Sequence, residues 1–280
     1  MSKRFASVIG AAGVTACMAT LALSGVATGA TSLPTLNVAL SGTKGVSVSG
    51  SMVSGAVNVV STFTGKAPTG PHANGPTFGL VRLNPGASLA QAGGAVQSHH
   101  GDLNALTPYG TLFVDAGAPG TVQTVLTPGN YVALNITGNG PASFAPFTVT
   151  QSSSPAALPA ASATLTAIDF GFHGPSVLHA GSIVRSVNGG WLVHMNFLIG
   201  FKSKHAANEA IALLKAGKGN KAQRLATSFT GLMGPASPGG MQQQVLQAKP
   251  GWYVEACFMN TEDGREHTQG GMERLVKVVK

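Results

Sequence analysis

Near the C-terminus a Pro-Gly turn opens an aromatic run, Pro250-Gly251-Trp252-Tyr253-Val254-Glu255-Ala256, that ends on Cys257. An Asp263-Gly264 turn follows, then His267, then Gly270-Gly271-Met272 and a last apolar run, Leu275 to Val279. Thiol, imidazole and thioether thus lie within sixteen residues of one another. A second imidazole stands upstream at His194, after an Asn188-Gly189-Gly190 turn. Two imidazoles and a thiolate in a near-trigonal plane, with a weak axial thioether, hold copper through a change of oxidation state with little movement. Each residue also has a plainer use. Cys257 fits a buried inert thiol and Met272 core filler. His267 fits a surface position in a loop with Glu262, Asp263 and Glu266, and His194 a satisfied strand histidine. The four carry chemistry only together.

The cysteine count sharpens the point. Cys17 lies in the N-terminal leader, so Cys257 is the one thiol of the mature chain and has no internal partner. An odd thiol in an exported protein signals reactivity, intermolecular pairing or metal ligation.

Strands must position this set. Short alternating runs such as Ser182 to Val187, separated by Gly and Pro turns, favour an all-β fold of the sandwich kind. The chain reads as two similar halves: residues 31–150, a Ser/Pro/Ala linker at 151–162, and residues 163–280. Thr127-Pro128-Gly129-Asn130-Tyr131 in the first matches Lys249-Pro250-Gly251-Trp252-Tyr253 in the second, and Gly79 to Leu83 matches Phe197 to Phe201. A helical segment follows the latter each time, Ser88 to about Val96 and Ala206 to about Leu214, with a further turn or two within Asn220–Phe229. The architecture expected is two β-sandwich domains, each with a short helical insertion.

The pattern Gly-x-Tyr-x-x-x-Cys, then His, then Gly-Met before a terminal strand resembles the ligand loop of cupredoxins of the plastocyanin/azurin type. The resemblance covers roughly residues 165–280. The Cys257–His267 interval is similar to the longer loop of the type I centre of copper nitrite reductase. The resemblance implies cupredoxin-like Greek-key sandwiches, one type I copper per chain held by His194, Cys257, His267 and Met272, and single-electron exchange with a redox partner protein through an exposed edge of His267. It implies a degenerate first half without copper, since Asn135 falls at the place of Cys257 and Pro76 near that of His194. The long insertion at 202–240 departs from the small electron carriers. Copper sequestration or delivery, and a metal-free sandwich for adhesion or scaffolding, are the competing functions.

Composition excludes other classes. With 44% apolar residues the chain can bury a core. Its net charge is +8, and residues 155–280 hold twelve Lys/Arg against seven Asp/Glu. No basic stripe interleaved with aromatics marks a nucleic-acid binder. Neither a Gly-x-Ser-x-Gly elbow nor a Gly-x-x-x-x-Gly-Lys-Ser/Thr loop occurs. No His-x-His pair suggests a trinuclear oxidase cluster, so an electron carrier is expected rather than an enzyme. His99-His100, beside Asp102, reads as a polar loop with adventitious metal binding as the alternative; His173 and His179 read as either supports behind the ligands or exposed residues, and His72 and His205 as loop residues. Residues 1–30, with Lys3 and Arg4, an apolar stretch and small residues to Ala30, read as a secretory signal. Val14-Thr15-Ala16-Cys17 offers a lipobox as the alternative, and a retained leader or lipidated Cys17 would attach the chain to a membrane. The expected location is periplasmic, cell-surface or extracellular.

Overall fold

The structure, a computed structural model, describes residues 32–69, 74–99, 101–138 and 141–280. The leader with Cys17, and His72 and His100, lie outside the described residues. The first half runs β1 (Thr35–Ser41), β2 (Gly45–Gly50), β3 (Gly55–Thr64), β4 (Thr77–Leu83), helix α1 (Leu89–Ser98), a 3-10 turn (Leu103–Leu106), β5 (Gly110–Gly117), β6 (Gly120–Leu126), β7 (Gly129–Asn135) and β8 (Ser143–Val149). The second runs β9 (Ala163–Ile168), β10 (Gly171–His173), β11 (Val177–His179), β12 (Ile183–Asn188), β13 (His194–Phe201), α2 (Lys204–Lys215), α3 (Gly219–Leu225), β14 (Ala226–Ala236), β15 (Met241–Val245), β16 (Gly251–Ala256), a 3-10 turn (His267–Gly270) and β17 (Glu273–Val279). The chain is mostly β, and among the described residues no helix is long and apolar enough to cross a membrane.

The strand order repeats. Sheet order β5-β4-β7-β8 in the first half recurs as β14-β13-β16-β17 in the second, which adds β11 at its edge. The order β2-β1-β3-β6 recurs as β10-β9-β12-β15, with the same parallel pair inside each set. The two sets meet at β6 and β15 in one eight-stranded sheet. In both halves a tyrosine turns the corner into the matching strand: Tyr131 donates to Thr127 O at 2.9 Å and Tyr253 to Lys249 O at 2.7 Å. A buried phenol that satisfies the backbone of its own turn fixes that strand's entry. Residues 151–162 form neither helix nor strand; Ala156 O accepts from Ala56 N, and Pro159 O accepts from Arg185 and Gln243.

Alternation builds the strands. In β1, Leu36, Val38 and Leu40 point inward and their neighbours outward, and β6 does the same with Val122, Thr124 and Leu126. Strand β13 is buried at every position. One face of it packs Leu198 into the sandwich core with Leu165, Leu232 and Val276. The other packs Ile199 and Phe201 under the alanine face of α2, Ala206, Ala207 and Ala210. Ser203 caps that helix, its hydroxyl accepting from Ala206 N. The insertion is therefore the outer cover of the sheet behind the site.

The 202–240 stretch differs from the expected helical insertion. Helix α3 stops at Leu225, and Ala226–Ala236 is strand β14, paired along β13. The local helical tendency of Ala226 to Phe229 is weak, and pairing with a long buried strand overrides it.

Polar side chains bridge the two halves. Gln243 donates to Gln123 at 3.0 Å, which donates to Asn58 at 3.0 Å, and Thr124 donates to Met241 O at 2.7 Å. Gly234 is glycine because a Cβ there would meet Asp115 O at 2.3 Å. Burial beside it pushes the Asp115 carboxyl up to about 7, so the contact loses its charge as pH falls through neutrality.

Candidate metal centre

His194 is the first residue of β13, and Cys257 follows the last residue of β16. His267 opens the 3-10 turn, and Met272 closes the loop before β17. The loop is tied to itself: His267 N donates to Met259 O at 2.8 Å, Met272 N to His267 O at 3.0 Å, and Cys257 N to Met272 O at 3.2 Å. These bonds bring residues ten and fifteen positions apart in sequence to one end of the sandwich.

Three of the four expected donors converge. Nδ1 of His194 lies 3.1 Å from Nδ1 of His267, and Cys257 Sγ lies 3.8 Å and 3.4 Å from them. Two nitrogens ~2.0–2.1 Å and a sulfur ~2.3 Å from one ion, at tetrahedral to trigonal angles, stand roughly 3.3–3.8 Å apart, so the two sulfur distances match and the two nitrogens need only a slight parting. The donor triangle fits that requirement. His194, Cys257, His267 and Met272 are all fully buried, and Met272 shares a core cluster with Cys257, Ala167, Met195 and Phe197. Burial of His267 corrects the expectation of an exposed imidazole edge: the ring is enclosed, and its Nε2 has no hydrogen-bond partner. Phe170 packs edge-on against it at 5.5 Å, and Gly270 must be glycine because a Cβ would meet that Phe170 ring at 2.5 Å.

Burial keeps all three donors neutral near pH 7 when no ion is bound. Burial pushes the Cys257 thiol up to about 12, against the lowering pull of the Met195 and Met259 amides. Burial and the neighbouring His194 pull His267 down to about 4, and burial also lowers His194. Without a metal the three groups are neutral and buried, and the two Nδ1 atoms lie 3.1 Å apart, close enough for one ring to donate to the other. A cation between them would satisfy all three.

Asp169 was not legible as part of this site. It sits in the turn between β9 and β10, and its Oδ1 is 2.9 Å from His194 Nε2. It also accepts the amides of Trp191 and Leu192. Burial pushes its carboxyl up, but the Trp191 amide, His194 and the Leu192 amide outweigh that and hold it below the usual range. An ionised Asp169 keeps the proton of His194 on Nε2 and leaves Nδ1 bare toward Cys257. Gly190 makes room for the pair, since a Cβ there would meet Asp169 Oδ1 at 2.6 Å and His194 Nε2 at 2.7 Å. One signal was available: Asp169 is the sole acidic residue between Asp115 and Glu209. Asp169→Asn is expected to weaken metal affinity ~10–100-fold in chelator competition, with unfolding of the metal-free protein changed by under ~1 kcal/mol. Unchanged affinity would remove Asp169 from the site.

The remaining histidines stay apart. His99 bonds Ala95 O at the end of α1, His179 bonds Lys280 O, and His173 and His205 are exposed. Asn135, at the place of Cys257 in the first half, is a buried backbone tie to Gly42 O and Gly45 O.

No family model matches the chain, and no curated protein does. Solved structures similar to it include reduced auracyanin from the photosynthetic bacterium Roseiflexus castenholzii, 16% identical with a TM-score of 0.27 over 42% of this chain and 95% of that one. A multicopper oxidase is 12% identical with a TM-score of 0.26 over 88% of each chain. Copper nitrite reductase from Nitrosomonas europaea is 11% identical with a TM-score of 0.23 over 88% and 93%. Likenesses this loose leave the site to be judged on its own donor atoms.

Proposed function

We propose that the chain is an exported cupredoxin-like protein of two β-sandwich domains that binds one type I copper and carries single electrons. The observation that carries this reading is the convergence of His194 Nδ1, His267 Nδ1 and Cys257 Sγ within a fully buried end of the sandwich. Met272, in the same buried cluster as Cys257, would be the fourth residue to hold the ion. The donor set is mixed soft sulfur and imidazole, which suits copper in both oxidation states; such a centre supplies one-electron chemistry without an open coordination position.

The protein's part is to hold the donors still and keep water out. Tying Cys257 to Met272 and Met272 to His267 through main-chain bonds favours a small change of geometry between oxidation states. The enclosed donors favour an electron carrier over a catalyst, because a substrate would need direct access to the ion. The leader at residues 1–30 supports export, and the partner would be a second redox protein.

The test is a visible absorption titration of the purified protein with Cu(II). An intense band near ~600 nm that saturates at about one copper per chain is the expected result. A colourless protein that takes up no copper overturns the reading.

A further inference from the structure

The first half holds no donor of the converging set, yet it reaches the site at two points. Asn104, in the 3-10 turn after α1, accepts the amide of Val193 on Oδ1 at 2.7 Å. Val193 is the fully buried residue before His194. Asn104 is itself held by Asp102, whose Oδ1 accepts its amide at 2.9 Å and its Nδ2 at 2.8 Å. Asp102 is close enough for its charge to act on His267. The second point is Leu112 in β5. Its amide donates to Ser237 Oγ and its carbonyl accepts from Ser237 N, both at 3.0 Å. Ser237 follows Ala236, the register partner of His194. Asn188 closes the frame, with Nδ2 donating to both Ala236 O and Leu192 O at 2.8 Å.

The geometry points to a positioning role for the donor-free first half: Asn104 fixes the loop that presents His194 and Leu112 the end of β14 that pairs with it, so the metal site is completed by both halves. This rests on the copper reading for its purpose but not for its test. The span from Gly189 to Val193 belongs to no strand, and four of its residues are glycine, glycine, an exposed Trp191 and Leu192. Such a segment has little packing of its own to hold it. Asp169 holds its middle, Asn188 accepts the Gly190 amide near its start and donates to Leu192 O, and Asn104 holds the residue next to the ligand.

The experiment compares amide hydrogen exchange in the metal-free full chain for the natural protein, Asn104→Ala, and the paired exchange Asp102→Asn with Asn104→Asp. The pair keeps an acceptor facing Val193 and a donor facing position 104. Losing a buried acceptor exposes the Val193 amide, so Asn104→Ala is expected to speed its exchange about tenfold or more while Leu198 and Ile199 are unchanged. The paired variant is expected to restore it. With copper bound, Asn104→Ala should shift the thiolate band and the paired variant should return it. Val193 exchange unchanged in Asn104→Ala, acceleration spread equally along β13, or failure of the paired variant to restore would overturn the inference. A natural protein that binds no copper defeats the copper reading, and the exchange pattern still decides whether the first half holds this loop.

Discussion

Cys257→Ser is expected to abolish the band near ~600 nm and to weaken copper(I) retention by more than the ~10–100-fold that a partner outside the ligand set costs. The substitution tests chemistry with little disturbance of packing. Cys257 is fully enclosed by Ala167, Met195, Phe197 and Met272, and a hydroxyl fits the space of a thiol. The Met195 amide, which donates to Sγ at 3.4 Å, can donate to the serine oxygen instead. What is lost is ionisation. The thiol, pushed up to about 12 by burial, is protonated at neutral pH and gives up its proton when a cation takes its place. The imidazoles behave oppositely. His267, pulled down to about 4, and His194, pulled below its usual value, are already neutral at pH 7 and release nothing. Copper uptake at pH 7 should therefore release on the order of one proton per ion, and close to none in Cys257→Ser. A pH-stat titration reads both. Release from the serine variant equal to that of the natural protein would mean that the copper binds elsewhere.

What was legible in the chain follows from how local each feature is. Cys257, His267 and Met272 fall in one loop, so their grouping needs only turn residues and the strands on either side. His194 was placed by the Asn188-Gly189-Gly190 turn before it. The structure puts these together through Asn188, which is a buried tie rather than a simple turn residue. The repeat was visible because the tyrosine corner is a five-residue feature written twice. The exposure of His267 was misjudged for a nonlocal reason. The family resemblance implied an exposed edge and its acidic sequence neighbours also suggested surface, but Phe170, 97 residues upstream, lies against the ring, in a turn whose backbone takes a φ of 62°. Asp169 and Asn104 act across 25 and 89 residues. No periodicity or motif encodes contacts at such separations; they exist only once two sheets have folded together.

A second large effect lies beneath the loop. Glu255, two residues before Cys257, is fully buried; its Oε2 accepts from Arg274 Nε at 2.5 Å and its Oε1 from Asn196 Nδ2 at 2.8 Å. Arg274 also donates to Gly174 O and Pro175 O, joining β16 and β17 to the segment before β11. Burial raises the Glu255 carboxyl above its ordinary range, and Arg274 and Asn196 offset only part of that. A carboxyl raised in the folded state holds its proton more tightly there than in the unfolded chain. It therefore favours the fold at low pH and costs stability as pH climbs past the usual carboxylate range. Removing the guanidinium leaves an uncompensated buried charge, so Arg274→Ala should cost ~3–5 kcal/mol at pH 8. The loss should be smaller at pH 5, where the carboxyl can take up a proton instead. Adding Glu255→Gln to Arg274→Ala removes the charge and should recover most of the loss, leaving the price of the two undonated carbonyls. Urea unfolding of the metal-free variants at the two pH values measures this. Equal losses at pH 5 and pH 8, with no recovery from Glu255→Gln, would show that Arg274 stabilises the sandwich through its carbonyl contacts alone, and that the charge under the ligand loop is already satisfied without it.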